Sequence, residues 1–581
     1  MNIMLLDIIS GEKFQDLAQI YLGYQEDFTY NPYIEKQPDK CLDISKIPEI
    51  WNNPSIIFCY SHRIEVVAKK LESIQNPCVF IFTNSDENLT YEKCKPYLNT
   101  NKIHHIFCQN IQFSHEKATF IPLGIANKQW AHGNPMYIQS TQRPIQKVKD
   151  IFCSFNTGTN TNVRTDCLNR IRILGIEKNQ YETQKEYIDD LALHKFCICP
   201  EGNGDDTHRF WECLYVETVP IVVRSPLTEQ IHALGLPCVL IDSWKSFYLE
   251  QLPNYASFVF DDAYYYSISF TKLRNTIMNE VSKLYASMNV VLSFIGNMPA
   301  YSIECIQQLR LFFDGPIYFI YSEIENSIKE ALDKQNIRFI HYDEVLSKRF
   351  DIISKRKEFC IVDSLEDRKE LFKRSYERIY LLDTLLFKYN LKNVWFMEID
   401  ILMFCNPNIF TGILQTQPYA YCFHDFQHCS SAIFYVRDHA SLQPILQILD
   451  VFTNDFISEM RALSEYHRHH QNDMVFPLIP RTPTHIFYWK DYNLFYTFVF
   501  DGAVIGQYLF GIDREGCKPY DTTHISQLLN IWQYGKFEWH KNDKGLFIPY
   551  YRFHETSELL PIANMHIHSK DLISAVSYTE K

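Results

Sequence analysis

The chain has no surplus of positive charge, no long apolar run and no cysteine pairs at zinc spacing, and each absence excludes a class of protein. Lys and Arg number 56 against 69 Asp and Glu, a formal net charge of -13. Nucleic-acid binders normally carry a basic footprint, so no nucleic-acid partner is expected, although a local basic pocket for a small anion is compatible with this balance. No apolar stretch approaches the ~18 residues of a membrane span. The opening "MNIMLLDIISGEKF" lacks a basic n-region and its apolar run is short, so it is a poor secretory signal. The 17 cysteines are scattered, and a chain of 581 residues needs no disulfide staples. Free thiols in a reducing compartment, and a soluble cytoplasmic protein, are the expectation. Gly/Ser-rich linkers, short repeats and low-complexity tracts are also missing.

What is present is globular: 46% hydrophobic, 15% aromatic and 22% charged residues. The length calls for two or three domains. Short apolar runs alternate with helical spacing throughout, which predicts an α/β protein with parallel sheets. "SIIFCYS", "CVFIFTNSD", "IHHIFCQN" and "ATFIPLGIAN" read as strands ending in polar turns, and "HRIEVVAKKLESI" as a helix. A second block starts near Lys149, and the rhythm restarts with "NVVLSFIG" at Asn289 after a closing helix in "SFTKLRNTIMNEVSKLYASM". The expected domains are residues 1–148, 149–287 and 288–581, docked rather than tethered.

The stretch "KFCICPEGNGDDTHRFWECLYVETVPIVV" reads as strand, glycine turn, helix and strand. Gly202 and Gly204 stand where a tight turn meets a helix N-terminus, whose unpaired N–H groups suit a phosphate. Asp206 or Thr207 could cap that helix. Arg209 and Glu212 share a helix face; a carboxylate there can accept ribose hydroxyls, or the two can form a surface pair on an ordinary capped helix.

"CPEGNGDDTHRFWECLYVETVPIVVRSPL", preceded in order by "FIPLGIANKQWAHGN" and "FNTGTNTNVRTDCLNRI", resembles the donor-binding segment of exostosin-like glycosyltransferases. The resemblance covers roughly residues 50 to 245 and implies a GT-B fold of two Rossmann-like lobes. It implies that Glu212 holds the nucleotide ribose, that Arg164 and Arg209 face the diphosphate, and that Asn203 and Gly204 form its turn. No metal is expected in this half; cationic groups and the helix end would stabilise the leaving diphosphate. Asp86, in "FTNSDEN", is a candidate base for the acceptor hydroxyl, or a turn aspartate. A unit of under 290 residues is short for a GT-B pair and implies a trimmed acceptor lobe.

In the second half, "LKNVWFMEIDILMF" puts Glu398 and Asp400 near the end of an apolar strand, on one face. Two carboxylates there are costly unless paired, bonded or metal-bound, and hard divalent cations take such ligands; a strand end opening to solvent is the alternative. "IANMHIHSKDL" places His566 and His568 on one face, with Lys570 following. With "FDGAVIGQYLFGID", these stretches resemble DxD-type GT-A glycosyltransferases over roughly residues 289 to 575. The first acid departs from that pattern, giving ExD. The resemblance implies a Mn²⁺ or Mg²⁺ ion held chiefly by Asp400 and a late histidine, His568 or His566, with Glu398 ligating or nearer the ribose. Asp513 and Asp473 are candidate catalytic carboxylates, and Arg378 a candidate diphosphate contact or an exposed helix arginine. "EYHRHHQND" is expected to be solvated rather than metal-binding.

Together these readings describe a compact GT-B-like pair of lobes followed by a GT-A-like domain. The implied partners are UDP- or GDP-linked sugar donors and a glycan, glycolipid or glycoprotein acceptor. The alternatives are a single catalytic half, or a non-catalytic glycan-binding protein on transferase folds.

Overall fold

A computed structural model describes residues 7–29, 37–143, 145–354, 369–425, 428–452, 458–471, 473–479, 492–512, 519–520 and 531–579. The chain is a mixed α/β protein that divides into two compact units, Met1–Leu284 and Tyr285–Lys581.

The first unit holds two parallel sheets. The first contains β1 (Ile20–Gly23), β2 (Cys41–Asp43), β3 (Ile56–Tyr60), β4 (Cys78–Thr83), β5 (Ile103–Cys108) and β6 (Ala118–Phe120) in the order β2-β1-β3-β4-β5-β6. Every residue of β3 and β4 is buried, as near-continuous apolar runs require of strands covered on both faces. The order reverses between β1 and β3. In open parallel sheets a crevice forms outside the strand C-termini at such a switch point. The second sheet runs β10-β9-β8-β7, from β7 (Lys149–Phe152), β8 (His194–Ile198), β9 (Val219–Val223) and β10 (Val239–Ile241). The closing helix Phe270–Val281 is capped by Ser269 and returns to the first lobe, where the Phe270 amide donates to Asp7 O and the Thr271 hydroxyl to the Asp7 carboxylate.

One expected helix is shorter than its apolar spacing predicts. "HRIEVVAKKLESI" forms an α-helix only over Ile64–Ala68. The Trp51 amide donates to Ser73 O and the Gln75 amide to Trp51 O, and this bridge draws the later residues out of the helix.

The second unit is built on a mixed sheet of β11 (Asn289–Asn297), β12 (Ile317–Glu323), β13 (Ile337–His341), β14 (Val394–Met397), β16 (Tyr419–Asp425) and β17 (His428–Val436), ordered β13-β12-β11-β14-β17-β16. Strands β11 to β14 are parallel; β17 and β16 add antiparallel pairs. Here the order reverses between β11 and β14. The short β15 (Ile401–Met403) pairs antiparallel with β21 (Asn564–His566), while β18 (Gly535–Lys541), β19 (Phe547–Phe553) and β20 (Leu559–Pro561) form a separate antiparallel sheet. No helix among the described residues is long and apolar enough to cross a membrane.

Candidate functional sites

In the second unit, Glu398 and Asp400 leave the strand they were expected to occupy. β14 ends at Met397, and residues 398–400 form the tight turn into β15, closed by the Ile401 amide on Glu398 O. That turn stands at the switch point. The β15–β21 ladder then sets His566 opposite Ile401, and the Ile567 amide donates to Asp400 O. His566 Nε2 lies 3.3 Å from Asp400 Oδ2 and 3.5 Å from Glu398 Oε2. Its Nδ1 donates to Gly502 O at 3.2 Å, which fixes the ring and aims Nε2 at the carboxylates. Lys570 pairs with Asp400.

The electrostatics of this cluster are strong because Asp400 and His566 at its centre are buried. Burial opposes ionisation of Asp400, but His566 and Lys570 hold its carboxyl well below the usual range. Burial likewise opposes Glu398, and Arg378 beside it lowers the carboxyl to about 2. His566 is disfavoured as a cation by burial, yet Asp400 and Glu398 raise it to about 10. Burial and the His566 charge push His568 down to about 3, so it is neutral.

Arg378 is buried, contrary to the exposed helix position first allowed for it. It pairs with Glu398, donates to Ser431 Oγ at 2.8 Å and lies 3.7 Å from Glu459. Burial pushes the Glu459 carboxyl up to about 7.

The site fits a hard divalent cation. Ligand atoms of Glu398, Asp400 and His566 all lie within 4.8 Å of one another. Among the described residues, Asp400 Oδ1 and His568 Nε2 are buried without a hydrogen-bond partner.

The motif around "FDGAVIG" supports the site from below. Asp501 accepts from the amides of Val504, Ile505, Gly506 and His566 at 2.7, 2.9, 2.8 and 3.0 Å. It thereby caps the helix Ile505–Phe510 and ties it to β21. A Cβ on Gly506 would fall 2.0 Å from His566 O, so only glycine lets helix and strand touch.

The structure does not bring Asp473 here. Its carboxylate accepts from the Tyr419 hydroxyl at 2.8 Å, and Tyr419 aligns through Val436 with Val394, the opposite end of β14 from Glu398. Asp513 lies outside the described residues. The histidines of "EYHRHHQND" are held locally: His467 bonds the Tyr421 hydroxyl, and His470 stacks on Tyr466 with ring centroids 4.0 Å apart.

In the first unit, Arg164 on the helix Thr161–Ile173 is buried, and donates to Glu201 O at 2.9 Å and Asn156 O at 2.7 Å. Burial and the nearby Arg209 charge lower it to about 10. Neither arginine forms an ion pair among the described residues, and Arg209 Nε is buried without a partner. Arg164 is held by carbonyls rather than carboxylates, and Arg209 has no ion pair among the described residues although Glu212 lies near enough to favour its charge; this local excess of positive charge suits an anion.

Glu212 differs from a ribose contact facing a cleft. It is 5% exposed, accepts from Gln184 Nε2 at 3.2 Å and the Tyr187 hydroxyl at 3.0 Å, and burial pushes it up to about 7. The glycine turn also has another task. A Cβ on Gly204 would lie 2.7 Å from Asn110 Nδ2 and 2.9 Å from Asp86 O, so glycine permits close approach to the first sheet's loops. Asn203 Nδ2 donates to Asp86 Oδ2 at 3.1 Å, uniting two expected site residues. Asp206 accepts from the Leu123 amide and Trp211 Nε1, both at 2.7 Å, so it joins the lobes. Beneath the turn, Cys197, Cys199 and Cys213 pack Sγ to Sγ at 3.6 and 3.8 Å.

A cleft of about 660 Å³ opens beside this turn, lined by Asp27, His62, Arg63, Asp86, Trp130 and His208 among others. Asp27 and His62 follow β1 and β3, so they flank the first sheet's switch point. Sequence reading missed them because strand order is not visible in a linear chain; a polar "YSHR" at a buried strand's end was the available signal.

No family model matches the chain, and no curated protein matches it. Among solved structures it is similar to one titled "PaToxG Glycosyltransferase", at 12% identity, with 34% of this chain and 76% of that chain covered and a TM-score of 0.22. A likeness that weak carries no argument about fold or activity.

Proposed function

We propose that the chain is a glycosyltransferase that moves sugars from nucleotide-sugar donors to a growing glycan, with a donor site in each unit. The observation that carries this reading is the convergence of Glu398, Asp400 and His566 at the second unit's switch point, with one Asp400 oxygen left unpartnered in a buried setting. Asp400, Glu398 and His566, with His568 beside them, would hold Mn²⁺ or Mg²⁺. Such an ion neutralises a donor diphosphate and polarises it as a Lewis acid. Arg378 orients Glu398, and Lys570 balances Asp400.

In the first unit the charge surplus at Arg164 and Arg209 takes the place of a cation. These groups would bind the diphosphate and stabilise charge as it builds on the leaving oxygen. Glu212 sets the donor helix against Tyr187 and Gln184, and Asn203 and Gly204 fix the turn beside it. Asp86, the proton acceptor expected from sequence, accepts from Asn203 beside that turn.

The pairing of Lys570 and His566 with Asp400 also favours a second reading, in which only the first unit is catalytic and the second binds nucleotide or glycan without metal. Linkage analysis of products from the Arg164→Ala and Asp400→Ala variants separates these. The two-site reading expects each variant to lose one linkage and keep the other. Loss of both in either folded variant contradicts it.

A further inference from the structure

Resting on the transferase reading of the first unit, we infer that His62, oriented by Asp27, is the base that deprotonates a neutral sugar acceptor seated against Trp130. The cleft stands at the switch point between β1 and β3, where loops diverge and a ligand can reach the strand ends. His62 Nε2 lies 2.8 Å from Asp27 Oδ1, so Nε2–H donates to the carboxylate, and in the neutral ring this leaves Nδ1 as the acceptor nitrogen. The structure shows no hydrogen bond to that Nδ1 among the described residues.

Asp27 is itself clamped. Arg63 Nε donates to its Oδ2 at 2.9 Å and Nη2 to its Oδ1 at 3.0 Å, while the Tyr24 amide reaches Oδ2 at 2.7 Å. A carboxylate so held stays ionised and positions the ring rather than taking the proton itself. The rest of the cleft supplies a worse base. His208 gives its Nδ1 to Gly124 O at 2.8 Å and sits enclosed on the donor helix, where burial lowers it to about 4. Asp86 already accepts from Asn203.

The occupant follows from the lining. Trp130 is 55% exposed and borders the cleft, an apolar ring face of the kind on which a sugar's C–H face packs. Three carboxylates, Glu26, Asp27 and Asp86, line it with one arginine, Arg63. That balance favours a neutral hexose over a uronic acid. In the transfer, the acceptor hydroxyl gives its proton to His62 Nδ1 while its oxygen bonds the donor's anomeric carbon. The bond from that carbon to the diphosphate breaks, and its electron pair leaves with the nucleoside diphosphate.

The test uses the full chain carrying Asp400→Ala, so that the first unit reports alone. Saturation-transfer NMR with neutral methyl hexosides is expected to show binding that Trp130→Ala removes, with none for methyl glucuronide. Equal binding of the glucuronide, or binding that survives Trp130→Ala, overturns the acceptor assignment. In turnover of UDP- and GDP-sugars with the bound hexoside, His62→Gln is expected to lose roughly 10²–10⁴-fold while acceptor-independent donor hydrolysis persists. A loss below tenfold, or a larger loss in Asp86→Asn, overturns the base assignment. If hexosides bind but no donor is consumed by the parent, the transferase reading fails and the acceptor cleft stands. If donor is consumed and no hexoside binds, the reverse holds.

Discussion

The two units place different chemistry at the same topological position. The six-stranded sheet of each unit has a switch point, between β1 and β3 in the first and between β11 and β14 in the second, and polar residues collect there. In the second unit the reversal carries Glu398 and Asp400, bracketed by His566, Lys570 and Arg378. In the first it carries Asp27, His62 and Arg63, while Arg164 and Arg209 stand on helices that pack with the second sheet. On the proposed function, one switch point would hold a cation and the other would move a proton. The comparison teaches that a crevice is a property of topology, while its chemistry depends on a few loop residues.

The largest expected effect lies in the second unit. On the proposed function Asp400→Ala would remove the main oxygen ligand, and several kcal/mol of charge stabilisation with it, so metal-dependent turnover should fall roughly 10³-fold. Metal-independent turnover should be unchanged, and assays with and without Mn²⁺ check both. Arg164→Ala should lower the metal-independent activity by roughly 10²-fold, the usual cost of one preorganised stabilising group. A fall in the metal-dependent activity would break the comparison.

Gly506→Ala should destabilise the second unit by about 1–3 kcal/mol, because the added methyl meets His566 O, and the loss is read from a denaturant midpoint. It should also weaken Mn²⁺ binding, since His566 moves with its strand.

The acid cluster gives that unit a pH signature. Glu398, lowered to about 2, contributes stability fully present above its ordinary value near 4.5 and lost as pH falls toward 2. His566, raised to about 10, contributes stability fully present below its ordinary value near 6.5 and lost as pH rises through 10. Between about pH 4.5 and 6.5 these two groups hold stability level while Glu459, raised to about 7, lowers it as pH rises, and His566→Gln should flatten the alkaline side in urea titrations. Mn²⁺ binding should release a proton from His566 at pH 7, measurable by calorimetry in buffers of different ionisation heat. The smallest expected effect is Asn203→Ala, about 0.5 kcal/mol of stability, since it breaks one bond at an exposed residue.

Much of the fold was legible. The buried strands β3 and β4 appear in the sequence as near-continuous apolar runs, as strands covered on both faces require, and β5 and β8 remain readable although His104, His105, His194 and Lys195 interrupt them. The ladder that brings His566 to Asp400 was foreseeable only as a pairing of motifs, since nothing local links residues so far apart. Asp473 shows the limit: an acid near a motif in sequence can sit at the wrong end of a sheet. Glu212 and Gly204 show another. Their residue types suit a ligand, but burial against Tyr187 and Asn110 gives them packing work that spacing cannot reveal. Asp27 and His62 escaped notice because two loops met only once strand order was known.

The most direct test is calorimetric titration of UDP and GDP into the full chain, with and without Mn²⁺, beside the Asp400→Ala variant. Two sites are expected: one independent of metal and intact in the variant, and one that needs Mn²⁺ and disappears with Asp400. A single site, or two sites with the same metal dependence, would contradict the assignment of different chemistries to the two units.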